Sequence, residues 1–239
     1  APPTGNKTVN SSVILGGVVG MLKGKMNGVA CVDTSVNASS SATDLNLTYN
    51  DKVPRYYQEG SLMAGGLAGV IAGSSAVMSN SGYMVSSKDF AGNITAEGID
   101  VTSAGGLVGR YEEASTIQDS WVMLNKMPVG STMHSYSDGK DTIVGYQYGA
   151  LIGTTDQNGT PVLSKVTGCK VGRQNSFPMR GTEGLIGGGG KLATVDNVFT
   201  GMYTPIRDKL SDEAKRIFSN AYKNIVKLDF GYGNDALTK

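Results

Sequence analysis

Five short elements built from glycine and aliphatic residues constrain the fold of this chain more than any other feature. They are GGVVG (Gly16–Gly20), GGLAG (Gly65–Gly69), GGLVG (Gly105–Gly109), GALIG (Gly149–Gly153) and EGLIG (Glu183–Gly187). Their central residues, Val18, Leu67, Leu107, Leu151 and Leu185, follow one another at steps of 49, 40, 44 and 34 residues. Self-similarity at such a period marks a repeat architecture.

Each element is followed, a few residues on, by a second recurring stretch: GVACVDTSV, AVMSNSGYMV, STIQDSWVML, PVLSKVTGCKV and ATVDNVFTGMY. Every copy reads as a short strand, a polar or small corner, and another short strand with apolar residues at alternate positions. Coils stacked about 4.8 Å apart bring backbone against backbone. Glycine, with no Cβ, permits that approach. The aliphatic residue between the glycines then faces inward, and its copies form a row that no single repeat buries alone. The expected fold is an all-β solenoid, a parallel β-helix of right hand, made of about five imperfect repeats over residues 1–203.

Two nucleotide-binding readings of the glycines fail on context. No copy lies between a strand and a helical pattern, as a dinucleotide fingerprint requires. GLIGGGGK ends at Lys191 followed by Leu192, so it lacks the G-K-[ST] ending of a phosphate-cradling loop.

GGLVGRYEEASTIQDSWV, and next to it GGLAGVIAGSSAVMSNSGYMV, resembles the GLUG motif, a glycine-rich repeat of bacterial surface and secreted proteins. The resemblance runs from Gly16 to Tyr203, and the first, fourth and fifth copies depart from it. It implies β-helical stacking in exported, often adhesin-like proteins, some attached to larger secreted enzymes. The motif carries no catalytic residue, so it implies no active site.

Residues 204–239 change character. Ala214, Ile217, Phe218, Ala221, Tyr222, Ile225 and Val226 recur at steps of three and four, a helical stripe. Ser211 suits the N-cap, and Asp212 and Glu213 suit the positive end of the helix dipole. The simplest task for this helix is to cover the open end of the solenoid, where bare strand edges invite aggregation. The other is to dock a following domain or a partner subunit.

Composition narrows the chemistry. Charged residues make up 17% of the 239, and the net charge is +1 with no basic stripe, which argues against nucleic acid as a partner. No apolar run approaches the length of a bilayer span. The opening APPTGNKTVNSS has no charged and apolar leader, so a signal or anchor is expected to have been removed or never present. One histidine, His134, and two cysteines with no C-x-x-C spacing give no metal or cofactor site. DQNGT (Asp156–Thr160) lacks the third carboxylate and the distal Glu of a calcium loop, and its Asn158-Gly159 pair reads as a hairpin turn. Cys31 and Cys169 belong to the first and fourth copies, which places them roughly 14 Å apart across three coils. A disulfide needs Cα atoms within about 7 Å, so none is expected between them.

Catalysis finds little support. Glu112 and Glu113, adjacent on an extended segment, point to opposite faces. Asp138 and Asp141 sit in a turn-rich loop. Neither pair reads as the facing carboxylates that glycoside hydrolysis requires.

Ligand binding has better candidates, in the insertions between copies. Tyr56 and Tyr57 in one, and Tyr136, Tyr146 and Tyr148 in another, would form an aromatic platform for sugar rings. The alternative is that they cover the ends of the hydrophobic rows with their hydroxyls kept wet. Trp121 is either a core filler or an exposed contact. Six N-x-S/T triplets, at Asn6, Asn10, Asn37, Asn46, Asn93 and Asn158, are glycosylation sequons or chance products of an Asn-, Ser- and Thr-rich chain. The expected function is therefore a non-enzymatic, adhesin-like module, extracellular or on the cell surface, that binds glycans or another surface protein. A self-associating subunit of a surface filament and the non-catalytic part of a secreted polysaccharide-degrading enzyme are the alternatives.

Overall fold

The computed structural model describes residues 12–39, 61–86, 89–98, 101–137, 140–155, 162–173, 184–188, 190–193, 199–202 and 207–229. Its strands are short because each crosses one face of a coil. Coil one holds β1 (Val13–Gly16), β2 (Val19–Leu22), β3 (Lys25–Asn27), β4 (Ala30–Val32) and β5 (Val36–Ser39). Coil two repeats the set with β6 (Ser61–Gly65), β7 (Ala68–Ile71), β8 (Val77–Ser79), β9 (Gly82–Met84) and β10 (Ile94–Glu97). Coil three holds β11 (Val101–Gly105), β12 (Val108–Tyr111), β13 (Thr116–Gln118) and β14 (Trp121–Leu124), then a hairpin of β15 (Thr132–Ser137) and β16 (Lys140–Tyr146). Coil four holds β17 (Tyr148–Gly149), β18 (Ile152–Thr155), β19 (Val162–Leu163), β20 (Val166–Thr167) and β21 (Lys170–Arg173). β22 (Lys191–Leu192) and β23 (Phe199–Met202) belong to a fifth, and helix α1 (Asp212–Asp229) follows.

Equivalent strands of successive coils pair in parallel, in the orders β1-β6-β11-β17, β2-β7-β12-β18, β3-β8-β13-β20 and β4-β9-β14-β21-β23. This is a parallel β-helix. The hairpin β15–β16 is antiparallel. The Gly-aliphatic-Gly elements lie in register at one corner: Val18 N–H donates to the Leu67 carbonyl, Leu67 to Leu107, Leu107 to Leu151 and Leu151 to Leu185, at 2.9–3.0 Å. Leu67, Leu107, Leu151 and Leu185 are all buried in the single large core.

The glycines answer to crowding at that corner. A Cβ on Gly105 would press on the Val108 carbonyl of its own coil and lie 2.5 Å from the Gly153 amide of the next. One on Gly106 would collide with the Ala150 carbonyl. A second corner uses backbone handedness instead. The residue after each strand of the β3-β8-β13-β20 sheet, Gly28, Asn80, Asp119 and Gly168, has φ of +70°, +46°, +48° and +65°. Glycine, asparagine and aspartate tolerate this left-handed conformation best. The next residue turns its side chain back onto the chain. Ser81 Oγ donates to the Ser79 carbonyl (2.7 Å), Ser120 Oγ to Gln118 (2.9 Å) and Cys169 Sγ to Thr167 (3.5 Å). Cys169 thus stands where the two preceding coils have serine. It and Cys31 are buried free thiols, in coils four and one.

Helix α1 corrects the expectation of an end cap. In the sheet β4-β9-β14, Cys31, Tyr83 and Val122 face the solenoid core, whereas Met84, Trp121 and Met123 face outward. That outward row is apolar, so it too needs cover. α1 and the preceding Leu210 supply it: Leu210, Ala214 and Phe218 form one buried cluster with Met84, Trp121 and Met123, and the partly buried Ala30, Val32, Ile217 and Ala221 pack against that cluster. The helix lies on a side face, not across the end. Ser211 caps it as expected, its Oγ accepting from the Ala214 amide at 3.2 Å, and the same hydroxyl contacts Asn80 Oδ1 at 3.0 Å. No described helix is long and apolar enough to cross a membrane.

Candidate functional site at the seam between coils

A coil must close by passing from its last strand to the first strand of the next, and that passage is where this chain tolerates extra residues. It leaves coil one after Ser39 and returns at Ser61, and leaves coil two after Glu97 and returns at Val101. Ser39 pairs with Glu97, and Ser61 with Val101, so the two departures stack and so do the two returns. In coil three, Val129 extends the β5–β10 row through a bridge to Thr95. Ser131 N–H then donates to the Thr102 carbonyl at 3.1 Å. The hairpin β15–β16 rises from this point, and its base is closed by Gln147 N–H to the Ser131 carbonyl at 2.8 Å. Gln147 in turn accepts from Ala104 N–H at 3.0 Å, which restores the register of β11 with β17. Insertions here interrupt no sheet. The result is a column of exits at one seam, about 4.8 Å apart per coil.

This geometry sorts the residues singled out in the sequence. Tyr146 ends β16 and Tyr148 begins β17, and their half-buried rings meet at 5.1 Å with 54° between the planes. Tyr148 also packs against the main core. Tyr136 lies on the same hairpin, on β15 opposite Asp141, and His134 stands opposite Ile143. Tyr56 and Tyr57 lie outside the described residues, in the insertion that leaves the same seam two coils away. Trp121 does not belong with them. It is fully buried, its ring lies over Gly82, and its indole N–H has no hydrogen-bond partner. It is a core filler with no face to offer a ligand. The sequence held a signal for this: WVML is a continuous apolar run, the pattern of a strand covered on both faces.

Asn37 is exposed and its Oδ1 accepts from Thr95 Oγ1 at 2.9 Å, whereas Asn93 is half-buried and donates to the Met127 carbonyl at 3.3 Å. Asn6, Asn10, Asn46 and Asn158 lie outside the described residues, as do Asp138 and the DQNGT turn. Glu112 follows β12 and is half-buried, while Glu113 is exposed in the turn beyond it. Among the described residues no group of three His, Cys, Asp or Glu side chains is placed to hold a metal ion.

The perturbed ionisable groups lie away from the seam. Burial pushes the Cys169 thiol up to about 12, and burial also raises Cys31. Burial lowers the Lys170 ammonium, which donates to the Gly168 carbonyl at 2.8 Å. Glu213 is held low by its hydrogen bond from Arg216 on the exposed side of α1. Two inert thiols and a lysine tied to backbone do not make a nucleophile with a base beside it. Comparison of the chain with family models, with curated proteins and with solved structures found no match.

Proposed function

We propose that this chain is a non-enzymatic binding module of an extracellular or cell-surface protein, adhesin-like, that engages glycans or another surface through the loops of its seam. One observation supports the reading: the described ends of the insertion between Ser39 and Ser61, and the hairpin β15–β16, lie at the same seam of the stack, so tyrosine-rich segments far apart in sequence leave it from neighbouring points. A rigid scaffold that projects variable loops from one face is a common way to build a binding surface. Tyrosine suits a sugar ligand, since its ring offers an apolar face and its hydroxyl a polar rim. The GLUG-like GGLVG and GGLAG copies support the same reading, because that motif belongs to exported proteins.

The test is a glycan array probed with the full chain, beside Tyr136→Ala, Tyr146→Ala and the double change Tyr56→Ala/Tyr57→Ala. The expected result is a bound glycan class whose affinity falls about tenfold or more in at least one variant, as when a contact worth over ~1 kcal/mol is removed. Circular dichroism of each variant should match the parent. An array with no bound glycan, or binding indifferent to all these changes, would remove the glycan reading. Reducing sugar released from a polysaccharide panel would replace it with an enzyme.

A further inference from the structure

We infer that the free edge of coil one is a contact between two copies of this chain, paired edge to edge about a twofold axis. The observation is a mismatch between position and exposure. Val13, Leu15 and Val18 align with Leu62, Ala64 and Leu67 of coil two, which are 0–1% exposed. They hold core positions, yet they are 37%, 37% and 42% exposed, and Met21 beside them is 44% exposed. These four make up most of the exposed large apolar side chains among the described residues, and all lie within nine positions of one another.

The bareness is confined to one part of the coil. Met26, Cys31, Val36 and Ala38, on the other strands of coil one, are buried. β1 is the outermost strand of β1-β6-β11-β17 and β2 that of β2-β7-β12-β18, so among the described residues neither has a strand on its outer side. A terminal repeat that faced water would present a polar outer surface. An edge meant to stay unpaired is guarded by charge, proline or a bulge. Ser12 to Leu22 contains no charged residue and no proline.

Those same facts select a second copy as the occupant. A twofold interface sets one patch against itself, so it must be self-complementary. A charge-free strand of consecutive aliphatic residues, Val13, Ile14 and Leu15, meets that condition: antiparallel to itself, β1 sets apolar on apolar on both faces, with no like charges opposed. Lys23 and Lys25 are exposed just beyond the patch, so a displaced register that drew them onto the twofold would set lysine against lysine. Pairing would join the four strands of each β1 sheet into one of eight. Because both partners spend the same edge, assembly stops at two and does not run on into a filament.

The test is sedimentation velocity on the full chain over a wide concentration range, beside Leu15→Lys and Val18→Lys. Both positions are already exposed, so the fold should hold, with circular dichroism and melting unchanged. The expected result is a monomer–dimer equilibrium in the parent, weakened at least about tenfold by either lysine. A parent monomeric at every concentration, a dimer indifferent to both lysines, or polymers beyond the dimer would each overturn the inference. Should a lysine variant unfold, oxidation of Leu15→Cys decides: a covalent dimer supports the pairing, and its absence refutes it, since the native thiols are buried.

Discussion

Trp121 meets Phe218 nearly edge-on, with ring centroids 5.9 Å apart and 68° between the planes. The contact joins the outward face of the third coil to a helix that begins roughly ninety residues later in the sequence, and both side chains are fully buried by it. Removing the Phe218 ring should cost about 3 kcal/mol or more, in the range of buried aromatic truncations. Trp121 is the single tryptophan, so its emission reports on this contact alone. In Phe218→Ala the emission should shift to the red, while the strand signal in far-ultraviolet circular dichroism persists. An unshifted spectrum would mean that α1 does not shield Trp121.

The corner glycines make a second prediction. Gly106→Ala places a methyl group against the Ala150 carbonyl, backbone that has no rotamer to yield. The coils must move apart locally, and the loss of stability should reach about 2–3 kcal/mol, as for other overpacked sites. Gly24→Ala is the control, because nothing lies within 4 Å of its would-be Cβ. It should change stability by less than about 0.5 kcal/mol. Urea midpoints of the two variants measure the difference.

The left-handed corner can be probed from both directions. Asp119 has φ +48°, a strained value that glycine adopts freely, so Asp119→Gly should be neutral or stabilising by up to about 1 kcal/mol. Gly168, one coil on, has φ +65°, and Gly168→Val should destabilise by about 1–2 kcal/mol. Equal and small effects at both positions would argue against the shared turn geometry.

Cys169 gives the chain an alkaline limit. Burial raises its thiol from an ordinary value of 9.0 to about 12 in the folded state. The unfolded chain therefore releases this proton at lower pH than the folded one. The stability that the buried thiol contributes is complete below pH about 9 and is lost as pH rises toward about 12. Cys169→Ser removes the titration and keeps a side chain that Ser81 and Ser120 show to fit the corner. Its urea midpoint should fall less steeply over that interval than the parent's.

Read along the chain, GGLVG and its relatives already imply the stack. Glycine at a crowded corner and an aliphatic residue inside it are local requirements, repeated once per coil, so periodicity alone exposes them. The helix was equally legible, because an amphipathic stripe with Ser211 ahead of it is written in adjacent residues. What these patterns imply does not extend to the partner of each surface. The apolar stripe of α1 is compatible with the solenoid's end or with its side.

The side was decided by Trp121, Met84 and Met123, an outward row whose members come from different coils and meet only once the strands are in register. The same holds at the seam, where Tyr146 and Tyr148 close on each other because Gln147 is pinned to Ser131 and Ala104. Local spacing on its own determined that this protein stacks in coils and that a helix follows them, since those properties depend on residues near in sequence. Only the tertiary structure decided which faces are covered and which insertions leave the stack at one seam, since those depend on contacts between residues that the chain brings together from far apart.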